Sequence, residues 1–464
     1  MPAGWSVFMH IVLIRPDYSS SILAPYLGLA YLSSALKQRG FEVTVIDNRL
    51  HHYSFDILIK KIQELNPGCI GISCLSSFYK EAAELCLKLK ELNFKVIMGG
   101  VHPSFMPYTV LNETNCDYAI AGEGEKALSE LLLNDFNSRG IKGVYKKGDL
   151  TSDDKAEYAE CIENLDELPF PDWDSFNPKL YPAVPHGGTC KKMPIGIIMT
   201  SRGCYGSCTF CASPAFYRHK VRFRSIGNVI EEIELLKYKY GVKEIHFMDD
   251  NLIANSGYAS ELFNRIIEKK LVMPYHCSNG VRADSITKEL ASLMKKAGCY
   301  QCAIGIESAD NEILKSAGKN ETIEQIDNAV NILHEAGIMS RGNFIFGLPG
   351  ETRETMEKTI NYAVNSKLDK AAFYVLDVMP GSILYRRLHY KGALNTADKS
   401  YVKPNWLPDN LSSEDIEKAL SDAYKRFYSK PSRFFMMMKD MKIQQYVPMI
   451  KRLFNMGVLK NINK

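Results

Sequence analysis

The chain has 464 residues, 46% of them hydrophobic and 24% charged, which excludes a disordered or low-complexity polypeptide and is enough for two or three domains. The net charge is +4, and the basic C-terminal tail has neither interleaved aromatic platforms nor a known binding module, so we expect no nucleic-acid partner. Twelve cysteines without a recognisable signal peptide predict reduced thiols and a cytoplasmic protein rather than a secreted disulfide framework.

Residues 1–150 alternate short apolar strands with helices. The strands are predicted at 10–14, 42–46, 69–73, 95–98 and 118–121. This alternation is typical of a doubly wound, Rossmann-like α/β domain, whose ligand lies at the carboxyl ends of the strands. The proline-rich and acidic stretch 164–174 then predicts a linker, which we place at 151–194.

A second repeat of strands and helices begins at Ile195. Its strands are predicted at 195–200, 243–248, 272–278, 301–306, 338–346 and 370–378. Six strand-helix steps predict a partial (β/α)6 barrel of TIM type over 195–385, with its chemistry at the C-terminal strand ends. Residues 386–464 are predicted to be mostly helical and basic. This tail is either a helix packed on its own domain or a contact with an anionic membrane surface.

Three cysteines follow the first strand of the second repeat at C-x3-C-x2-C spacing: Cys204, Cys208 and Cys211. Four thiolates normally close a 4Fe-4S cluster, so three would leave one iron open to a small molecule. The alternatives are a structural zinc site or three buried cysteines. Zinc would need a fourth ligand at paired C-x2-C spacing, which the sequence does not offer.

The motif Arg202-Gly203-Cys204-x3-Cys208-x-Phe210-Cys211 resembles the signature of the radical S-adenosylmethionine (radical SAM) enzymes. The resemblance covers roughly residues 10–390, and the N-terminal part is similar to the cobalamin-binding domain fused to many of these enzymes. It implies three cofactors: a 4Fe-4S cluster, S-adenosylmethionine and cobalamin. Such a cluster would also make the protein oxygen-sensitive.

In such a barrel, S-adenosylmethionine is held by residues at the strand ends. The resemblance and the polar strand ends together predict contacts from Phe210, Asp249, Asp250, Arg282, Glu307, Ser308, Phe346, Gly347, Leu348 and Pro349. The Gly-Gly-Glu-Pro variant common after the second strand is absent, and Asp249-Asp250-Asn251 stands in its place.

For cobalamin, the resemblance implies three loops around its nucleotide tail. Their residues are Ser73, Leu75, Ser76, Gly99, Gly100, Val101, His102, Gly122, Glu123 and Gly124. The loop that supplies an axial histidine to cobalt in related domains reads Asp17-Tyr18-Ser19-Ser20-Ser21-Ile22 here, without histidine. Either cobalt lacks a protein ligand on that side, which we favour, or the domain has another role.

The resemblance implies a cobalamin-dependent radical SAM C-methyltransferase. A 5′-deoxyadenosyl radical would take hydrogen from an unactivated carbon, which then receives methyl from methylcobalamin. The alternatives are a cobalamin-assisted radical cyclase and, in another class, a non-catalytic cobalamin and iron-sulfur sensor of redox state or light. The cluster implies an electron donor such as ferredoxin or flavodoxin. The substrate stays open among a lipid, a tetrapyrrole, a small metabolite and a peptide or protein side chain, and the sequence assigns no catalytic residue.

Overall fold

A computed structural model describes residues 9–20, 23–182, 190–395, 404–433 and 435. The chain divides into two compact units. The first contains Met1–Tyr181 and Thr396–Lys403, and the second contains Pro182–Asn395 and Pro404–Lys464.

The first unit is built on a sheet of six strands in the order β2-β1-β3-β4-β5-β6. The strands are β1 (His10–Arg15), β2 (Glu42–Asp47), β3 (Cys69–Ser73), β4 (Val96–Gly99), β5 (Tyr118–Ile120) and β6 (Val144–Tyr145). The helices are α1 (Leu27–Gln38), α2 (Asn48–His51), α3 (Phe55–Leu65), α4 (Tyr79–Glu91), α5 (Val101–Phe105), α6 (Pro107–Thr114) and α7 (Gly124–Leu133). All neighbouring strands are parallel except β5 and β6. The doubly wound prediction is therefore confirmed, and the short antiparallel β6 is an addition to it.

The central strand β1 shows why the sequence forms this sheet. The side chains from Ile11 to Ile14 are all completely buried. A parallel strand with both faces covered needs apolar residues at every position rather than at alternate ones. The continuous apolar run is therefore a signature of the buried sheet.

The segment predicted as a linker is attached to the first unit for much of its length. Trp173 is buried, and the Asp172 carboxylate accepts hydrogen bonds from Lys37 Nζ at 2.6 Å and Ser33 Oγ at 2.7 Å, both on α1. The Tyr181 hydroxyl donates to Asp47 at the end of β2. The domain limits at 150 and 195 stay a prediction, and these contacts favour a boundary after Tyr181.

The second unit contains a sheet of six parallel strands in the order β14-β13-β12-β11-β10-β7, and a small antiparallel pair, β8-β9. The strands are β7 (Ile195–Ile198), β8 (Ser201–Arg202), β9 (Arg222–Phe223), β10 (Glu244–Phe247), β11 (Tyr275–Val281), β12 (Cys299–Glu307), β13 (Met339–Phe346) and β14 (Lys370–Val375). The first and last strands, β7 and β14, lie at opposite edges, so this is the open, partial barrel that six strand-helix steps predict.

The helices of the second unit complete the repeat. They are α8 (Ser213–Phe216), α9 (Ile226–Tyr238), α10 (Ser256–Glu268), α11 (Lys288–Lys296), α12 (Asn311–Ser316), α13 (Ile323–Glu335), α14 (Arg353–Asn365), α15 (Ile383–Tyr390) and α16 (Ser413–Tyr428). The Tyr424 hydroxyl on α16 lies 3.1 Å from both the backbone N and O of Phe373, which fixes α16 to β14. No helix among the described residues is long and apolar enough to span a membrane. Most of the basic tail lies outside the described residues.

The Asp172 contacts give a stability prediction. Burial opposes ionisation of this carboxyl, but hydrogen bonds from Lys37, Ser33 and Ser175 outweigh burial and lower its pKa. We expect Asp172→Ala to lower the unfolding free energy of the first unit by about 2 kcal/mol at neutral pH, because it removes charge-assisted hydrogen bonds. Urea unfolding followed by tryptophan fluorescence measures this loss.

Because the folded pKa of Asp172 is depressed, its stabilisation is present above the unfolded value of about 3.9 and is lost as the pH falls through the folded value. The difference between wild type and Asp172→Ala should therefore shrink in acid. The exposed Asp56, in the first turn of α3, provides the control. Equal losses for Asp56→Ala and Asp172→Ala would contradict the attachment.

Candidate functional site

The three cysteines lie in one loop that follows the small strand β8. Gly206 leaves a space beside two of the cysteine sulfurs, referred to below as the hollow. A Cβ atom added there would lie 3.3 Å from Cys204 Sγ and 3.9 Å from Cys208 Sγ. The Gly206 amide also donates to Cys204 Sγ at 3.3 Å. A hollow lined by sulfur and backbone N–H is a fitting donor set for an iron-sulfur cluster.

Burial raises the pKa of all three thiols, and raises that of Cys211 to about 12. For Cys208 the positive charge of Lys319 is the next influence and acts in the opposite direction. In the described chain, Glu244, His246 and His276 bring three possible metal-ligand atoms within 4.8 Å of one another, whereas the three cysteine sulfurs are not this close together. The wider spacing of the sulfurs suits a cluster of several irons better than one tetrahedral zinc ion.

Two adjacent aspartates after β10 hold the cysteine loop from both ends. Asp249 accepts hydrogen bonds from Thr200 Oγ1 at 2.7 Å and Ser201 Oγ at 2.6 Å, just before the loop. Asp250 accepts from Ser213 Oγ at 2.8 Å, just after it. Asp249 is buried with its oxygens engaged in this way, so the geometry assigns it to positioning the loop and does not support direct cofactor contact.

A cleft of about 360 Å³ opens at the carboxyl ends of the strands beside the cysteine loop. It is lined by Phe210, Asn279, Gly305, Glu307, Asn343, Ile345, Tyr374, Val375, Leu376 and Asp377. Of the residues predicted to contact S-adenosylmethionine, the cleft contains Phe210 and Glu307. Tyr374 and Asp377 also line it.

Glu307 has an unusual conformation. Its φ of +65° lies in the left-handed region, and the pairing of β12 with β13 shifts register between Gly305 and Glu307. A non-glycine residue in this region carries backbone strain, which is commonly found at functional sites. A Cβ on Gly305 would lie 2.6 Å from Glu307 Oε1 and 2.9 Å from Lys319 Nζ. A side chain at position 305 would therefore displace the ends of the Glu307 and Lys319 side chains.

The charges around Glu307 are compensated within the protein. Lys319 Nζ lies 3.3 Å from both Glu307 and Glu321. Burial raises the pKa of Glu307, and Lys319 opposes that rise. Arg282, predicted to contact S-adenosylmethionine, binds Asp284 at 2.6 Å and donates to the carbonyl oxygen of Lys319 at 2.9 Å.

Other predicted S-adenosylmethionine contacts lie away from the cleft lining. Ser308 is completely buried, and its hydroxyl accepts from the Asp310 amide. Phe346 is also completely buried and stacks on Phe373 on the helix side of the sheet, and Leu348 has no exposed surface. Their contact with the cofactor stays a prediction that side-chain geometry does not support.

The turn after β13 contains Gly347 and Pro349. Gly347 has φ +92°, and the amides of Gly347 and Leu348 both donate to the buried Glu351 carboxylate. Pro349 is half-buried and its carbonyl oxygen accepts from Ser316. Glu351 therefore fixes the backbone of this turn.

The predicted contacts left out the other eight residues of the cleft lining: Asn279, Gly305, Asn343, Ile345, Tyr374, Val375, Leu376 and Asp377. Asn343 is the most informative, because its Oδ1 is buried and has no hydrogen-bond partner within the described chain. The available signal was the alternation of Arg341, Asn343 and Ile345 with residues that face the helices. Within β13 the prediction included only the last residue, Phe346, so Asn343 was missed.

In the first unit, the loops predicted for cobalamin do meet at the carboxyl edge of the sheet. The Cys74 amide donates to Gly99 O at 2.8 Å and the His102 amide to Cys74 O at 3.2 Å, which ties the loops after β3 and β4 together. Of the predicted residues, Ser73, Leu75, Gly99, Gly100, Val101 and Gly124 are partly exposed, and Ser76, His102, Gly122 and Glu123 are buried.

Gly100 shows how closely these two loops approach. It has φ +104°, and an added Cβ would lie 2.7 Å from Cys74 O. The partly exposed residues form a rim of backbone and small side chains, which fits an extended nucleotide tail. Gly100 is therefore required by the contact between loops, whatever binds over the rim.

His102 packs beneath the residues of this rim. Its Nδ1 lies 2.9 Å from Ser76 Oγ, and its ring stacks on Tyr79 at 4.1 Å between centroids. With 1% of its surface exposed, it is a packing residue beneath the rim. The Asp17 carboxylate of the loop without histidine lies 2.8 Å from Nδ1 of His52.

A second polar cluster lies at the opposite, amino-terminal end of the barrel strands. The Glu244 carboxylate accepts from Tyr300 OH at 2.6 Å and from the amides of Lys191 and Lys192 at 2.7 Å. It also lies 2.9 Å from His246 Nε2. Hydrogen bonds thus satisfy this buried carboxylate and tie residues 191–192 to the base of the barrel.

Comparison with known proteins agrees with this geometry. The model of the radical SAM superfamily matches residues 198–363, and that of the B12 binding domain matches residues 22–132. An uncharacterized methyltransferase, PH0819, of Pyrococcus horikoshii is 33% identical over 91% of this chain and 93% of its own length. The anaerobic magnesium-protoporphyrin IX monomethyl ester cyclase of Cereibacter sphaeroides is 28% identical over 92% of this chain and 71% of its own.

Among solved structures, TsrM from Kitasatospora setae, a radical S-adenosylmethionine methyltransferase, superimposes with a TM-score of 0.74. It is 20% identical, and the match covers 90% of this chain and 89% of TsrM. This likeness shows a shared fold.

The chain belongs to the cobalamin-dependent radical SAM enzymes. Within that family it is a radical SAM methyltransferase, and its cofactors are a 4Fe-4S cluster, S-adenosylmethionine and cobalamin.

Glu351 gives a pH prediction for the second unit. Burial raises its pKa to about 8. Because this folded value lies above the unfolded value of about 4.3, the stabilisation is present at acid pH and is lost as the pH rises toward 8. Between pH 5 and pH 8 the wild type should lose at least about 1 kcal/mol of unfolding free energy relative to Glu351→Gln, which cannot ionise.

Urea unfolding at the two pH values measures this difference. The exposed Glu354, on the first turn of α14, provides the matched control, and Glu354→Gln should keep the wild-type pH slope. If Glu351→Gln also kept that slope, the carboxyl would be ionised throughout and the explanation would fail.

Proposed function

We propose that this enzyme transfers a methyl group to an unactivated carbon atom of its substrate by radical chemistry. The cysteine loop, held beside a strand-end cleft by Asp249 and Asp250, is the observation that carries the proposal. When bound, the cluster and S-adenosylmethionine supply the radical, and cobalamin supplies the methyl group.

The residues of this chain then have three roles in the proposal. Cys204, Cys208 and Cys211 bind the cluster, and the hollow at Gly206 gives it room. Glu307 lies between the cysteine loop and the cleft and is proposed to contact S-adenosylmethionine. The rim of partly exposed residues after β3, β4 and β5 is proposed to hold the cobalamin tail.

The supporting parts of the site exclude water and fix the turns. Phe210 and Ile345 supply apolar surface to the cleft, which protects a carbon radical from solvent. Asp250 stays proposed as a neighbour of the cofactor as well as of the loop, because it lies near Cys204 and Cys211 and influences the pKa of both. A one-electron donor such as ferredoxin or flavodoxin and a cytoplasmic location complete the proposal.

The second candidate is a radical ring-forming reaction. It is favoured by the likeness to the Cereibacter sphaeroides cyclase over 92% of this chain. The products distinguish the two reactions, since methyl transfer yields S-adenosylhomocysteine together with a methylated product and ring formation requires neither.

The first prediction concerns the cluster. Anaerobically reconstituted enzyme, reduced in the presence of S-adenosylmethionine, should form 5′-deoxyadenosine, and Cys208→Ala should abolish it and lose the bound iron, because the cluster needs all three thiolates. Iron analysis and chromatography measure both. Cys161→Ala, which changes a partly exposed cysteine of the first unit, is the control and should behave as wild type. Retained iron and turnover in Cys208→Ala would refute the assignment.

The second prediction concerns Glu307. We expect Glu307→Gln to weaken S-adenosylmethionine binding to the reconstituted enzyme by about tenfold, because the charge that faces the cofactor and pairs Lys319 is lost. Equilibrium dialysis with labelled S-adenosylmethionine measures the affinity, and iron analysis confirms that the cluster is intact. Glu312→Gln, on the exposed face of α12, should bind normally. Equal affinities for the two variants would remove Glu307 from the site.

A further inference from the structure

Two cationic side chains, Arg341 and Lys370, lie on the inner face of the barrel sheet below the cleft. Successive residues of a strand point to opposite faces, so residues two apart share a face. Asn343 on β13 and Tyr374 on β14 line the cleft. Arg341 lies two residues before Asn343 and pairs in register with Lys370 on the neighbouring strand. Arg341 and Lys370 therefore face the cleft side, nearer the base of the barrel.

Arg341 is bound only lightly by the protein. Its Nη2 donates to Tyr374 OH at 3.0 Å, and its side chain is half-buried. Among the residues that the structure describes, no carboxylate lies within ion-pairing distance of its guanidinium. A guanidinium has several further N–H donors in a planar fork, which suits the two oxygens of a carboxylate or phosphate.

Lys319, at the strand ends, differs from Arg341 in this respect, because Glu307 and Glu321 compensate its charge. Lys370 donates to Gln301 Oε1 at 2.9 Å. The charge of Arg341 stays available to a ligand in the cleft.

Asn343 supplies a second, independent indication. It lies on the same face, one step nearer the strand end, and its Oδ1 is buried without a hydrogen-bond partner in the described chain. A buried amide oxygen without a partner costs free energy unless a ligand donates to it. An N–H or O–H group of the substrate would remove that cost.

We propose that Arg341 and Tyr374 bind an oxyanion of the methyl-accepting substrate, a carboxylate or a phosphate, while Asn343 accepts a hydrogen bond from a donor group on the same molecule. This inference rests on the proposed function and narrows its substrate class. A purely hydrocarbon substrate would leave both groups unsatisfied. The substrate is therefore a polar, anionic molecule whose charged group enters the barrel ahead of the reacting carbon.

Site-specific arginine modification tests the proposal on the wild-type holoenzyme. Phenylglyoxal reacts with accessible guanidinium groups, and mass spectrometry of peptides gives the rate at each arginine. Sodium phosphate or sodium acetate, each compared with sodium chloride at equal ionic strength, should slow modification of Arg341 by about threefold or more, because charge-assisted hydrogen bonds withhold the guanidinium from the reagent. The exposed Arg387 on α15 should react at an unchanged rate.

The two anions distinguish the possible sources of the oxyanion. Protection by phosphate alone indicates a phosphorylated substrate, protection by acetate alone a carboxylic acid, and protection by both a site for either. Protection by neither anion, or equal slowing at Arg387, overturns the proposal. Formation of 5′-deoxyadenosine by the same preparation reports the proposed function separately, so the failure of one is not mistaken for failure of the other.

Variants supply a second measurement. The protecting anion should raise the thermal unfolding midpoint of the wild type by roughly 2 °C at saturation, as expected for a ligand that binds only the folded state. Arg341→Gln should lose this rise and Arg341→Lys should keep part of it. Lys367→Gln makes the same change of charge at an exposed residue before β14 and should respond as wild type. An undiminished rise in Arg341→Gln would assign the anion to another site.

Discussion

Two adjacent carboxylates, the buried Asp249 and the half-buried Asp250, hold the cysteine loop against the barrel sheet, and the geometry of the radical site depends on them. Asp249 binds the chain before the loop and Asp250 binds it after the loop. Burial raises the pKa of both groups, and the hydrogen bonds from Ser201, Thr200 and Ser213 oppose that rise. A loop fixed at both ends has little conformational entropy left to lose when it binds a cluster.

The polar groups of the second unit are arranged at three depths. At the base, Glu244 is satisfied by hydrogen bonds from backbone and side chains. At the strand ends, Lys319 balances Glu307 and Glu321 beside the cysteine loop. Between these levels lies Arg341, whose partner in the described chain is a hydroxyl. The protein compensates its own charges at the two ends, and the proposed anion site lies between them.

The architecture was predictable because parallel strands covered on both faces appear as continuous apolar runs. β3 was predicted to the residue, and every predicted strand is present. The antiparallel β6 was missed, since two residues at a sheet edge leave no periodic pattern. The attachment of Asp172 to α1 was also missed, because it joins residues more than 130 positions apart.

The sequence by itself determined the cysteine loop and the order of the elements, because each is written in local spacing or periodicity, and its resemblance to a known family implied the cofactors. Which strand-end residues face the cleft was decided only by the tertiary structure. The β12–β13 pairing skips one residue between Gly305 and Glu307, so Glu307 pairs with Phe344 and yet lines the cleft, while Ser308 is buried beside Thr359. A residue list read along the chain cannot locate such a shift, because it arises from pairing with the neighbouring strand.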